Sequence, residues 1–219
     1  MKYIFSSLGK KIQVAITGIL LSTFLLFHLI NNLALFAGEA VFNQMVSFLE
    51  SIKPFIRIME FGLLSIFLIH ICNTISLYFS NRRAKTRQRS PLSSETSSAN
   101  SRNMIISGAI ILLFFIIHLR YIWYSYQAHL FFGPETYYDV ILRNQLGYLG
   151  HTPTSIFYII SILFIASHLK HGFQSALKTF GFLENSKWKI LYQSSIIFWG
   201  FIPLAFILII LSIQFKIIH

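Results

Sequence analysis

Charged side chains are scarce in this chain of 219 residues. Only 11% of the residues are Asp, Glu, Lys or Arg, whereas an ordinary soluble domain carries about a quarter. Hydrophobic residues make up 55% of the chain, and 23 residues are phenylalanine. The mean hydropathy of +0.64 agrees with this bias. We therefore expect an all-α integral membrane protein with a single domain over residues 1–219.

Cysteine is almost absent, since Cys72 is the only one. One cysteine excludes a disulfide within the chain, a C-x-x-C-H site for covalent haem attachment, and an iron–sulfur cluster held by this chain alone. The sequence also lacks a dinucleotide-binding fingerprint. Cys72 lies in an apolar run, where we expect it to be a small core residue.

Five apolar runs are long enough to cross a bilayer as helices, which takes about 20 residues each. The runs cover 12–37, 57–80, 104–127, 154–177 and 190–215. They are continuous rather than alternating, which favours helices over a barrel. The first run is too long for the core of a signal peptide, and no A-x-A site follows it, so we expect a retained span. No inverted repeat of the transporter type is evident.

The connections between the runs differ in character. Residues 81–103 are polar, basic and rich in serine, which predicts a cytoplasmic loop. Residues 40–52 are typical of a short amphipathic helix on the membrane surface. The connection over 128–153 contains the turn signals Gly133-Pro134 and His151-Thr152-Pro153.

The 18 Lys and Arg residues are distributed unevenly between the two sides. Thirteen of them fall at the N-terminus, in 81–103 and around the connection between the fourth and fifth runs. Because basic residues concentrate in cytoplasmic loops, the N-terminus is expected inside and the C-terminus outside. The net charge of +11 is then a topology signal and a surface for an inner-side partner or anionic membrane lipid. Nucleic-acid binding is not expected, because the basic residues are spread over juxtamembrane segments.

Four of the eight histidines lie well inside the first four runs: His28, His70, His118 and His168. With a rise of 1.5 Å per residue, His28 and His118 lie about 25 and 21 Å from the inner surface. By the same count, His70 and His168 lie about 16 and 15 Å from it. The sequence therefore predicts an outer pair and an inner pair, each drawn from two helices that run in the same direction.

Two imidazoles that face each other inside a helix bundle suit the two axial positions of a haem iron, which then transfers electrons. Taken alone, a buried histidine is more often a helix–helix hydrogen-bonding group or part of a proton path. Zinc would require four ligands converging on one point rather than two layers. His171 could compete with His168 as a ligand, but it is nearer the inner interface and beside Lys170, so we favour His168.

Three stretches together resemble a known family: FSSLGKKIQVAITGILLSTFLLFHLINNLALFAG at 5–38, HLRYIW at 118–123 and HLKHGFQSALKTFG at 168–181. They are similar to the cytochrome b558 subunit of succinate dehydrogenase and fumarate reductase. The type is the five-helix anchor with two haems that is common in Bacteroidetes-like bacteria. The resemblance covers nearly the whole chain and is weakest over 81–103.

The resemblance implies a subunit that does not itself oxidise succinate. It would anchor a flavoprotein and an iron–sulfur protein to the cytoplasmic face of a bacterial inner membrane, in a complex of the tricarboxylic acid cycle. Electrons would pass between succinate or fumarate and a quinone, usually menaquinone, while FAD and the iron–sulfur clusters belong to the partner subunits. The axial ligands of the two haems b would be His70 and His168 for the proximal haem, and His28 and His118 for the distal haem.

Several other residues carry two interpretations each. Arg120 could pair with a propionate of the distal haem or extend to the interface. Glu50 could exchange protons at a quinone site or be an ordinary solvated carboxylate. Gly18 and Ser22 have the small-x-x-x-small spacing that lets a helix or a haem face approach closely, although generic packing is an equal explanation.

Two rival functions stay open on the sequence. The first is a di-haem cytochrome b that serves another quinone-linked dehydrogenase, of the hydrogenase or formate dehydrogenase type. The second is a haem-free transporter or channel in which the intramembrane histidines relay protons. The subunits that copurify distinguish the first rival, and the visible absorption spectrum distinguishes the second.

Overall fold

The computed structural model describes residues 6–87, 95–182 and 188–219, and every regular element in these ranges is helical. The nine α-helices of this part of the chain are α1 (Ser7–Leu33), α2 (Glu39–Ser51), α3 (Lys53–Arg87), α4 (Glu95–His118), α5 (Tyr124–Gln127), α6 (Tyr137–Leu142), α7 (Thr152–Thr179), α8 (Trp188–Ser194) and α9 (Ile202–Gln214). Helices satisfy their own backbone hydrogen bonds, as a chain this apolar requires in lipid. The prediction of an all-α fold is confirmed.

Five segments are long and apolar enough to cross a membrane. We number them as spans one to five: Ser7–Ala37, Lys53–Arg83, Asn103–Gln127, Thr152–Thr179 and Trp188–Gln214. Together they include all of the predicted apolar runs except residue 215. The prediction of five helices of membrane-spanning length is therefore confirmed.

The predicted loop over 81–103 is wrong at both ends. Helix α3 continues to Arg87, and helix α4 already begins at Glu95. The remaining positions, 88–94, lie outside the described residues. A helix does not have to end where the apolar run ends, because its backbone hydrogen bonds also form in water, and Arg, Lys and Ala are good helix formers.

Spans three and five are each interrupted by one π-helical turn. In span three the turn is Leu119–Trp123, directly after His118. In span five it is Ile197–Phe201. Pro203 follows the second turn and has no N–H to donate to the carbonyl of Trp199, so the regular ladder cannot continue there. Single π-turns inside α-helices are frequent at functional sites.

Span one lies at the centre of the packing. It contacts spans two, four and five, and span four also contacts spans three and five. Spans two, one, four and three are therefore neighbours in that order. Small residues line these contacts, since Thr17, Ser22, Ser155 and Ser161 are buried. Small side chains let membrane helices approach closely.

The short helices α2 and α6 pack on each other at one end of the spans. The charge distribution predicts that this end is outside, and we call it the outer end. Phe42 of α2 is only 3% exposed and contacts the rings of Tyr137 and Tyr138. The predicted helix over 40–52 is confirmed as α2, and burial of Phe42 against α6 explains why its apolar face is needed.

Cys72 is exposed rather than part of the core, so that prediction is wrong. It lies on span two, whose most apolar window contains no buried residue. In a membrane helix, apolar side chains face lipid as well as protein, so apolar sequence neighbours do not locate the core.

Candidate functional site

His28 of span one and His118 of span three lie together toward the outer end. Their ring centroids are 5.8 Å apart, and the rings are perpendicular at 88°. His28 stacks on Phe24 at 5.4 Å, and His118 stacks on Phe114 at 5.6 Å. A stacked ring one helical turn earlier on the same face holds each imidazole in a defined orientation. The structure thus brings together the two histidines predicted to share the outer layer.

His70 of span two and His168 of span four lie together closer to the inner end. Their ring centroids are 6.5 Å apart, with an interplanar angle of 64°. Both pairs therefore join spans that are separated by one other span in the packing order. These are the pairs that the depth calculation predicts, although their role as ligands stays a prediction.

The Nδ1 atom of His70 contacts the hydroxyl of Thr17 at 3.0 Å. That hydroxyl already donates its single proton to a backbone carbonyl, with Gln13 O at 2.7 Å and Val14 O at 3.2 Å. With its proton engaged there, the hydroxyl acts toward His70 as an acceptor. We infer that His70 carries its proton on Nδ1 and keeps the lone pair of Nε2 free for another partner.

Ser107 repeats this arrangement on His168. Its Oγ lies 3.0 Å from His168 Nδ1 and donates to Met104 O at 3.1 Å. The same reasoning places the proton of His168 on Nδ1 and leaves Nε2 as a free donor atom. The tautomer inferred for both inner histidines is the neutral one that binds metals through Nε2.

A short internal repeat underlies the two contacts. Residues 17–28 read TGILLSTFLLFH, and residues 107–118 read SGAIILLFFIIH. Hydroxyl, glycine, phenylalanine and histidine recur at the same spacing. Eleven residues are close to three full turns, so the hydroxyl and the histidine lie on one face of each helix. Sequence reasoning missed this repeat and the roles of Thr17 and Ser107, although aligning the two runs on their histidines would have found them.

The glycine of each repeat faces the same imidazole as the hydroxyl before it. A Cβ atom on Gly18 would lie 3.4 Å from His70 Cε1, and one on Gly108 would lie 3.9 Å from His168 Cε1. Ser22 is buried and donates to the carbonyl of Gly18 at 2.8 Å. Glycine at these positions leaves one edge of the His70 and His168 imidazoles uncovered. A larger side chain would occupy the space beside that edge.

Among the residues that the structure describes, no hydroxyl contacts the Nδ1 atom of either outer histidine. His118 Nδ1 is buried without a hydrogen-bond partner among the described residues. His28 Nδ1 has a long contact of 3.5 Å to the Asn32 amide, which donates to the backbone oxygen of His28 at 2.8 Å. The two layers are therefore alike in ring geometry and different in hydrogen bonding.

Arg120 and Glu50 lie on the surface of the outer half. Arg120 is exposed in the π-turn after His118, with its guanidinium 5.4 and 5.1 Å from the rings of Tyr121 and Tyr124. Glu50 pairs with Lys53 at 3.1 Å, and both side chains are 42% exposed. A hydrogen bond from Tyr126, assisted by Lys53, holds the pKa of the Glu50 carboxyl below its ordinary value. The proposed roles of Arg120 and Glu50 stay predictions.

Glu60 is a carboxylate within span two that sequence reasoning did not single out. It accepts a hydrogen bond from Trp123 Nε1 at 2.9 Å and pairs with Arg57, which also contacts Gln127. It lies inside the predicted apolar run over 57–80, where an acidic residue indicates a charged or hydrogen-bonding partner. The cluster ties the start of span two to the end of span three.

His171 takes no part in the ring contact between His70 and His168. It lines an open cavity of about 580 Å³ between spans four and five, together with Lys170, Gln174 and Trp199. The ring contact with His70 is made by His168. This placement favours His168 over His171 as the partner of His70.

No family model, no curated protein and no solved structure matches this chain. Within the described ranges, no three or more His, Cys, Asp and Glu side chains form a group that could hold a metal ion. A haem requires only two axial side chains, because the porphyrin supplies the other four iron ligands. The family assignment therefore stays a prediction that depends on the histidine pairs.

Proposed function

We propose that this chain is the membrane-anchor di-haem cytochrome b subunit of a succinate:quinone oxidoreductase in a bacterial inner membrane. Spans one to four would form the haem-binding four-helix bundle. The observation that carries the proposal is the pairing of four intramembrane histidines into two layers, with ring centroids 5.8 and 6.5 Å apart.

These separations suit one metal atom between each pair of imidazoles. Metal–imidazole bonds of about 2.0–2.1 Å would place the two ring centroids about 6.4 Å apart, because each centroid lies about 1.1–1.2 Å further behind its ligating nitrogen. The inner pair, at 6.5 Å, lies at that separation, and the outer pair, at 5.8 Å, is about half an ångström closer. His28 and His118 would hold the distal haem, and His70 and His168 the proximal haem.

The hydrogen bonds support ligation at the inner pair. The hydroxyls of Thr17 and Ser107 lie 3.0 Å from the Nδ1 atoms of His70 and His168. With the protons on Nδ1, as we infer, each Nε2 keeps the lone pair that a metal requires. Gly18 leaves the edge of His70 uncovered. The free Nε2 atoms and the small residue beside His70 support the proposal that the inner pair would hold a haem.

A haem iron with two imidazole ligands supplies a one-electron redox centre and does not readily bind oxygen. The chain's own contribution is to hold the four imidazoles on separate helices and to surround them with apolar rings. Phe24, Phe114 and Phe206 lie against the outer pair, where they exclude water. Arg120 would neutralise a propionate of the distal haem, and Glu50 would exchange protons with a quinone, for which we favour menaquinone.

The partners we propose are a flavoprotein and an iron–sulfur protein docked on the basic cytoplasmic face. They would carry the FAD and the iron–sulfur clusters. A dehydrogenase of the hydrogenase or formate dehydrogenase type would use the same histidine pairs. Copurification of a covalent-flavin subunit supports our proposal, whereas a nickel or molybdenum subunit overturns that part of it.

The proton-relay alternative is less well supported by the contacts. A relay requires hydrogen bonds on both nitrogens of each histidine in the path. His118 Nδ1 has no partner in the described part of the chain, and the His28 and His118 rings meet edge to face. This arrangement suits two ligands more than two members of a proton path.

The absorption spectrum of the purified, dithionite-reduced protein tests the proposal. We expect the α band of b-type haem and two haems per chain by pyridine haemochrome analysis. His118→Ala should reduce the content to one haem, and the control His171→Ala should retain both. A protein without the band, or one that retains both haems in His118→Ala, would contradict the proposal.

A further inference from the structure

The two histidine layers differ in what their Nδ1 atoms contact. In the inner layer, His70 Nδ1 lies 3.0 Å from Thr17 Oγ1. His168 Nδ1 lies at the same distance from Ser107 Oγ. In the outer layer, His118 Nδ1 is buried without a partner in the part of the chain that the structure describes. The contact between a hydroxyl oxygen and a histidine Nδ1 is therefore a feature of the inner pair, His70 and His168.

The inner contacts occur twice in equivalent positions. Thr17 on span one contacts the histidine of span two, and Ser107 on span three contacts the histidine of span four. Each hydroxyl also donates to a carbonyl of its own helix. Spans one and two therefore make the same kind of hydroxyl–imidazole contact as spans three and four, although the segments that connect the two pairs of spans are different.

Hydroxyl groups in membrane helices often have a purely local role. Thr23 is an example, since its hydroxyl donates to Ile19 O at 3.0 Å on an exposed face of span one. Thr17 and Ser107 differ from Thr23 because their oxygen also meets an imidazole. A helix–helix hydrogen bond alone would add stability without any effect on the neighbouring centre.

We propose that Thr17 and Ser107 are positioning residues for the proximal haem, which fix the tautomer of its two histidines and lower its redox potential. This inference rests on the proposed function. An oxygen that accepts the Nδ1 proton makes the imidazole a stronger donor at Nε2. A stronger donor stabilises the ferric state more than the ferrous state, so the potential falls. The unpaired Nδ1 of His118 gives the distal haem no such stabilisation from its ligand.

Spectroelectrochemical titration of the purified protein tests the proposal through the two haem potentials. Thr17→Val retains the branched shape and removes the acceptor. We expect its proximal potential to rise by up to about 59 mV, which is a tenfold change for a one-electron couple and close to the most that one ordinary hydrogen bond can contribute. The distal potential should not change. Thr17→Ser should restore the proximal value, and the matched control Thr23→Val should alter neither potential.

The serine gives an independent test at the second ligand. Ser107→Ala should raise the same proximal potential, and Ser107→Thr should restore it. Proximal potentials equal to the wild-type value in both Thr17→Val and Ser107→Ala would overturn the proposal. Loss of the proximal haem in these variants but not in Thr17→Ser and Ser107→Thr supports the positioning role, whereas equal loss in all four overturns it. A wild-type protein without haem contradicts the proposed function itself, and the inference falls with it.

Discussion

The rings of Tyr158 and His118 are neighbours, and the Tyr158 hydroxyl and the His118 Nδ1 atom are both buried without a hydrogen-bond partner among the described residues. Their ring centroids are 6.1 Å apart. Phe114 contacts both, at 4.9 Å from Tyr158 and 5.6 Å from His118. Unpaired buried polar groups are rare in folded proteins and require an explanation. Here two of them belong to His118 and its neighbour Tyr158, at the proposed distal haem site.

Tyr158→Phe removes the unpaired hydroxyl and keeps the ring against Phe114. Because a buried hydroxyl without a partner costs about 1–3 kcal/mol, we expect the free energy of unfolding to rise or stay unchanged. Thermal unfolding in detergent measures this. The control Tyr148→Phe removes a hydroxyl that is bonded to Ser125 at 2.8 Å and Arg143 at 3.2 Å, so it should lower the melting temperature. A lower melting temperature for Tyr158→Phe would show that its hydroxyl has a partner.

Glu60 and Glu50 are two carboxylates in similar ion pairs but in different surroundings. Glu60 pairs with Arg57, accepts from Trp123 and is 32% exposed, whereas Glu50 and Lys53 are both 42% exposed at the surface. We expect Glu60→Gln to lower the free energy of unfolding by about 1–2 kcal/mol, because a hydrogen bond to a charged group is lost between two spans. Glu50→Gln should cost less than about 1 kcal/mol, as exposed ion pairs do.

Denaturant or thermal unfolding of the two glutamine variants provides the comparison. Both substitutions keep the shape of the side chain and remove one negative charge. A loss of stability in Glu50→Gln as large as that in Glu60→Gln would contradict a structural role specific to the Arg57–Glu60–Trp123 cluster.

The ion pair of Glu135 and Arg143 makes the outer end sensitive to acid. Arg143 is buried and contacts Glu135, and its hydrogen bond holds the pKa of the Glu135 carboxyl below its ordinary value of 4.5. A carboxyl with a depressed pKa adds stability that is complete above its unfolded value and is lost as the pH falls through the folded value. We therefore expect the melting temperature to decrease when the pH is lowered below about 4.5. Glu135→Gln should flatten that part of the profile, and an unchanged profile in the variant would refute the assignment.

Which histidines lie together in pairs could be predicted from sequence, because the rise per residue of a helix is fixed. The hydrogen-bond partners of each imidazole could not be predicted in the same way. The contact between Thr17 and His70 depends on how spans one and two are rotated about their axes, and apolar runs without a strong polar face leave that rotation undetermined. The repeat shared by 17–28 and 107–118 was nevertheless readable.

Other features show where sequence reasoning fails for a membrane chain. Cys72 was placed in the core by its apolar neighbours, but lipid accepts the same residues. Burial of Phe42 against Tyr138 at the outer end depends on segments almost a hundred residues apart in sequence. Glu60 could have been singled out, since an acidic side chain inside an apolar run indicates a partner.

The central claim is that His28 pairs with His118 and His70 with His168 on two separate haem irons. A spectroelectrochemical redox titration of the four single His→Ala variants tests this most directly. We predict that His28→Ala and His118→Ala lose the same one of two redox transitions, and that His70→Ala and His168→Ala lose the other. Loss of the same transition in His28→Ala and His70→Ala, or two intact transitions in any of the four variants, would contradict the claim.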